Sequence, residues 1–243
     1  MKFKSVAIGL ALVASAISAQ ATSSFSLTAS PLTFSSTGLV RALSSTGSMT
    51  ASVQDQIGWN ASGDAEWGAL ASSTSPWGPG VSLTSPNGVF AQVAPPGVLT
   101  VSTQEKGGFA QAEQDFTLQL LLAAHSSVTI SWNASMSGYQ EGLSSGTFAV
   151  LGSVTLGDTV QTYPFSHDFA GTEGFGSGFA TSPISRSITF ANTSDSNLLT
   201  AYHSNVKIST LDVIPAAAVP EADAAWMALA GMAVVGALIR RRR

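Results

Sequence analysis

Residues 115–132 read Asp-Phe-Thr-Leu-Gln-Leu-Leu-Leu-Ala-Ala-His-Ser-Ser-Val-Thr-Ile-Ser-Trp. Two strand-sized apolar runs, 115–124 and 128–132, flank the polar turn His125-Ser126-Ser127, and the pattern predicts a β-hairpin. The same signature recurs on both sides. Phe25-Ser26-Leu27-Thr28 alternates, as do residues 88–93, and a further run, 97–102, follows Pro95-Pro96, a pair that belongs in a turn or at a sheet edge. Residues 146–156 and 186–191 add two more runs, and 197–213 a last one with an expected break near Ser204-Asn205. Threonine suits strands, while serine, glycine and asparagine suit the turns between them. Short β-rich segments with almost no helical period predict an all-β fold: a single antiparallel β-sandwich, jelly-roll-like.

The chain has 243 residues and no cysteine, so neither disulfides nor thiolate chemistry is available to it. Its formal charge of −4 conceals an asymmetry. Six of the ten basic residues lie in the first four and last four positions. Between Thr22 and Val219 only Arg41, Lys106, Arg186 and Lys207 oppose twelve acidic residues, a net of −8. A body this acidic, with scattered cations, excludes nucleic acid as a partner, because phosphate neutralisation needs a basic patch.

The C-terminus carries a different message. Val219-Pro220-Glu221-Ala222 precedes an uncharged apolar segment, residues 224–239, and Arg240-Arg241-Arg242-Arg243 ends the chain. As a helix the segment would span roughly 24 Å, short of a hydrocarbon core of about 30 Å. Trp226 would sit at one interface, and the arginines would hold the other end on the cytoplasmic side, leaving the body outside. This arrangement resembles the PEP-CTERM sorting signal of exported Gram-negative proteins. Ala222 stands where the family's namesake tripeptide has its second proline. The resemblance covers residues 219–243 alone. It implies recognition at Val219, Pro220 and Glu221 by an exosortase-like membrane protease, with 224–239 a temporary inner-membrane anchor.

The N-terminus agrees. Lys2 and Lys4 open the chain, residues 6–17 are apolar, and Ala19-Gln20-Ala21 places small residues at a cleavage site, so signal peptidase is expected to leave Thr22 as the first mature residue. The organisation expected is a signal peptide (1–21), a β-sandwich domain (22–212), a linker (213–218), and a sorting signal (219–243) with hydrophobic helix 224–239 and arginine tail 240–243. The chain is expected to use the secretion machinery, rest in the inner membrane, and finish at the cell surface or outside the cell.

A search for chemistry in the body finds no catalytic residues and no metal or cofactor motif. The histidines, His125, His167 and His203, share no ligand spacing. His167-Asp168 are strand neighbours and so point to opposite faces, and no serine sits in a nucleophile elbow. Asp64 with Glu66, and Glu113 with Asp115, have the parity to share a face, but a glycosidase pair would have to converge from separate strands. The oxygen-rich stretch 192–197 reads as a loop of turn formers; it has neither EF-hand spacing nor the glycine of its sharp turn.

Trp59, Trp67 and Trp77 fall within one glycine-rich stretch beside Asn60, Asp64 and Glu66. They are the candidate carbohydrate-binding residues, since indole faces stack on sugar rings. The alternative reading folds them inward over one end of the sandwich. The function expected is a non-enzymatic structural protein of the cell surface or extracellular matrix, associated with exopolysaccharide and biofilm as the resemblance implies. A non-catalytic carbohydrate-binding module is the second expectation.

Overall fold

Strand β1 (Thr22–Ala29) shows the rule by which the chain folds: Ser23, Phe25 and Leu27 are buried, while Ser24 and Thr28 face water. The computed structural model describes residues 22–95, 97–104, 107–141, 145–169 and 177–213. The signal peptide, the sorting signal and all but the first residue of the linker lie outside them. After β1 come β2 (Thr33–Thr37), β3 (Val40–Trp59), β4 (Ala65–Trp67), β5 (Ala71–Pro76), β6 (Val81–Thr84), β7 (Phe90–Ala94) and β8 (Val98–Thr103). The second half holds β9 (Gly108–Leu122), β10 (Ser127–Glu141), β11 (Ser145–Leu156), β12 (Thr159–Phe169), β13 (Ser177–Ala180), β14 (Ile184–Ala191) and β15 (Leu198–Val213). The fold is all-β.

The strands form two antiparallel sheets that pack face to face. One runs β13-β10-β1-β8-β7-β6, with β14 and β2 also paired to β10; the other runs β12-β11-β15-β9-β3-β4, with β5 paired to β3. The expected hairpin at residues 115–132 is not formed. β9 pairs with β15 and β3 in the second sheet, and β10 pairs with β1, β2, β13 and β14 in the first. His125, at φ 56°, turns the chain across the sandwich. The reason is burial. Leu118, Leu120 and Leu122 of β9 and Val128 and Ile130 of β10 all join one buried cluster, so they meet across the interior.

Two further expectations need correction. Residues 198–213 form one unbroken strand, because Ser204 and Asn205 both keep their ladder partners on β9 and β11. The run expected to begin at 115 begins earlier, at Gly108, so the pair Glu113 and Asp115 lies in the middle of β9, which has a neighbour on each side.

The core has two parts. Toward the end where β1 begins and β15 finishes, Phe25, Met49, Ala51, Val53, Val101 and Phe148 pack with their neighbours. Toward the His125 end, the β9 and β10 leucines, valine and isoleucine pack with Val154, Leu156, Ile188 and Tyr202. In the first part Phe25 stacks on Phe148 at 5.1 Å, and Phe179 lies 5.9 Å from Phe25 and 5.7 Å from Phe165. Gly138 of β10 admits this aromatic group: a Cβ there would come within 2.4 Å of Phe179 and 2.9 Å of Phe148.

Both ends of the domain emerge at one pole. Thr22 pairs with Glu141 and Val213 with Ser145. The two termini are joined through side chains, Ser23 Oγ lying 3.4 Å from Thr210 Oγ1 and 2.5 Å from Thr103 Oγ1. Thr103 donates to Asp212 Oδ2 at 2.9 Å, and these four residues are buried. Buried hydroxyls and a carboxylate are tolerated there because each hydroxyl finds a partner.

Candidate functional site

The tryptophan stretch is divided by the fold. Trp67 pairs in register with Gln56, on the parity opposite to the buried Met49, Ala51 and Val53. Trp77 follows β5, donates its backbone N–H to Gly47 O at 3.0 Å, and lies over Gly47 on the inward parity. A Cβ at Gly47 would stand 3.2 Å from the Trp77 ring, so glycine makes room for the indole. Trp77 packs against Phe116, with ring centroids 4.9 Å apart, and joins the core margin. Trp59, paired with Ala65, shares the β3–β4 hairpin with Trp67 beyond the end of the β3–β9 ladder at Asp55–Gly108. Their indoles are half-buried. Asn60 shapes the hairpin turn by accepting from the backbone N–H groups of Ser62 and Asp64.

The titratable side chains gather on the outer face of the second sheet. His203 Nε2 lies 3.0 Å from Asp115 Oδ2, and Asn205 Nδ2 donates to Glu113 Oε1 at 2.8 Å and to Asp115 Oδ2 at 3.3 Å. Neighbouring central strands bring them together, and the cross-strand pairs satisfy one another. This is a solvated polar ladder on a flat face. At the far pole His125 Nε2 meets Asp195 Oδ1 at 2.8 Å, both well exposed, a pair of small energetic weight. His167 and Asp168 occupy consecutive positions of β12, opposite Phe148 and Thr147. Among the described residues no cluster of three or more His, Cys, Asp or Glu is arranged to hold a metal.

The oxygen-rich loop 192–197 is organised by Asn192, which is buried to 2% exposure. Its side-chain amide donates to Ala123 O at 2.9 Å and Ser196 O at 2.8 Å, and its Oδ1 accepts from the Ser194 backbone N–H and hydroxyl. Its own N–H reaches Ser126 O at 2.8 Å. Asn192 therefore ties the β9–β10 crossing to the β14–β15 crossing. Within the loop the oxygens of Asn192, Ser194 and Ser196 are engaged with one another's donors.

The feature that pattern reading missed is a cavity of about 880 Å³ at the waist of the sandwich, between the two core clusters. Its size is that of small-molecule sites, roughly 300–1,000 Å³. It arises because the inward positions at this level carry small side chains: Ala29, Ser45, Ala134, Gly152 and Ser204. A bulge between Ala42 and Ser44 adds to it, turning Leu43 outward while Ala42 and Ser45 both line the space. Leu27, Phe116, Leu120, Trp132, Met136 and Val154 complete an apolar wall. Well-packed interiors leave few voids larger than a water molecule, so this one is a specific product of the residue choices.

Polar groups on the lining are few. Gln114 points inward between Met49 and Val206, and its buried Oε1 finds no hydrogen-bond donor among the described residues. Tyr202 is buried, and desolvation pushes its phenol up to about 12, against the opposing effect of a hydrogen bond with Ser204. Tyr163 donates to Gln161 Oε1, and burial raises its phenol, with Arg186 lowering it in part. Arg186, an inward position of β14 opposite Trp132, places its guanidinium 5.4 Å from the Tyr163 ring centroid. Exposed lining residues lie on two flanks: Phe34, Ser36, Ala42 and Ser45 on one, Thr162, Pro164 and Arg186 on the other.

No protein-family model and no curated protein matches the chain. A solved structure titled "Structure of infectious bursal disease virus Gx strain" aligns at 14% identity and a TM-score of 0.12, covering 83% of this chain. The alignment takes in 63% of that chain, and a likeness this slight carries no argument about fold or function.

Proposed function

We propose that this is an exported cell-surface or extracellular-matrix structural protein, associated with exopolysaccharide, anchored for a time in the inner membrane and sorted by an exosortase-like protease. The observation that carries the reading is that the two ends of the described domain, Thr22 of β1 and Val213 of β15, lie at one pole of the sandwich. Ser23 and Thr210 touch, so both address segments attach at the same pole. A precursor held there would present the rest of the sandwich away from the bilayer. Long paired strands with outward Ser and Thr suit a durable scaffold, and the chain's repeated passage between sheets supports a jelly-roll path for it.

The test is fractionation of cells expressing the wild type and Glu221→Ala. The wild type is expected at the surface or in the medium and the variant in the inner membrane; equal partition of the two chains would refute sorting through this signal. A carbohydrate-binding module is the second reading, supported by the half-exposed Trp59 and Trp67 beside Asn60, Asp64 and Glu66. It predicts that Trp67→Ala abolishes retention on the producer's own polysaccharide while Trp77→Phe does not.

A further inference from the structure

We infer that the waist cavity is a binding site for a long-chain carboxylate, with the acyl chain among the apolar side chains and the carboxylate at Arg186. Arg186 is one of only four Lys or Arg residues between Thr22 and Val219, yet it occupies an inward position on a strand whose other inward residues, Ile184, Ile188 and Phe190, are apolar. Its guanidinium makes one long hydrogen bond, 3.4 Å to Ser185 O, and lies over Tyr163. It forms no ion pair among the described residues, although the body is strongly acidic. Five N–H donors fixed in a planar fork match a carboxylate, and most of them here are uncommitted.

Behind the guanidinium lies the apolar chamber. Phe116, Leu120, Trp132 and Val154 offer no charge and almost no hydrogen bonding, so the body of the ligand must be hydrocarbon. A cation at the rim and a largely apolar interior select an amphiphile with a single anionic head. An inward charge on an edge strand can also serve to discourage edge pairing, but that role gives no reason for 880 Å³ of lined space behind it.

The test is photo-crosslinking of the full chain in membranes with a diazirine-bearing palmitate, followed by mapping of the labelled peptides. Labelling of residues 114–120 and 150–156, competed by unlabelled palmitate, is the expected result. Arg186→Gln should lower that labelling about tenfold, the weight of one charge-assisted contact, and Arg186→Lys should retain most of it. The matching diazirine fatty alcohol, applied to the unaltered chain, should label the cavity as weakly as the acid labels Arg186→Gln, so the outcome does not rest on the variant's folding. Label confined to residues 224–239 would report only the surrounding bilayer and overturn the inference. Equal labelling by acid and alcohol would overturn it as well.

Discussion

Asn192 shows how much one polar side chain can organise. It is buried with its donors and acceptor all engaged, joining two crossings whose flanking strands are paired, β9 with β15 and β10 with β14. Asn192→Ala should cost about 2–4 kcal/mol in chemical denaturation, because it leaves buried carbonyls without donors. Tyr202 makes a second residue-level prediction. Its phenol is raised from about 10 when unfolded to about 12 when folded, so its neutral form is favoured by folding. That contribution is complete below pH 10 and is lost as pH rises toward 12, where the unfolded chain ionises first. Tyr202→Phe should flatten the alkaline loss of stability, and absorbance titration of the wild type should show one late-ionising tyrosine that the variant lacks. Neither role was visible in the sequence. Asn192 reads as one turn former among several, and what distinguishes it is contact with residues about seventy positions away. The cavity was hidden for a related reason: Ala29, Ser45, Ala134, Gly152 and Ser204 are unremarkable until the fold sets them at one level.

At the scale of elements, alternation made the strands legible and their partners not. In β1 and β8 the apolar Phe25, Leu27, Leu99 and Val101 take the buried positions of an alternating pattern that Ser23 and Thr103 continue with hydroxyls. The run 115–132 gave two correct strands and a wrong connection, because a hairpin and a crossing between sheets share the same turn chemistry. They differ only in whether the inward faces lie side by side or oppose each other. The long β3 went unread, since its buried positions are filled by Met49, Ala51 and Val53 among serines and threonines, too small and too polar to mark a strand. The assignment of faces has a direct check in β9. Leu120→Ala, at a buried inward position, should cost about 2–5 kcal/mol, whereas Gln119→Ala, one residue earlier and exposed, should stay within about 0.5 kcal/mol. Gly138→Ala in β10 should be destabilising by about 1–3 kcal/mol, since the added methyl would enter the space of Phe179 and Phe148.

For the whole molecule, the decisive fact is that the described domain starts and finishes at one pole. The proposed export and sorting signals lie at opposite ends of the chain, and the fold places the two ends of the described domain side by side. The other pole carries His125, Asp195 and the Asn192 loop, and the polar ladder of Glu113, Asp115, His203 and Asn205 covers an outer face between them. A body with a net of −8 and no disulfide would then depend on its two-sheet core for stability outside the cell. If the proposed export and sorting hold, both address segments are removed from the product. The intact mass of the natively expressed protein, measured separately in the medium and in the membrane fraction, tests this. The expected medium form begins at Thr22, ends near Pro220 and lacks Arg240–Arg243. A chain found only in membranes and still ending at Arg243 would contradict it.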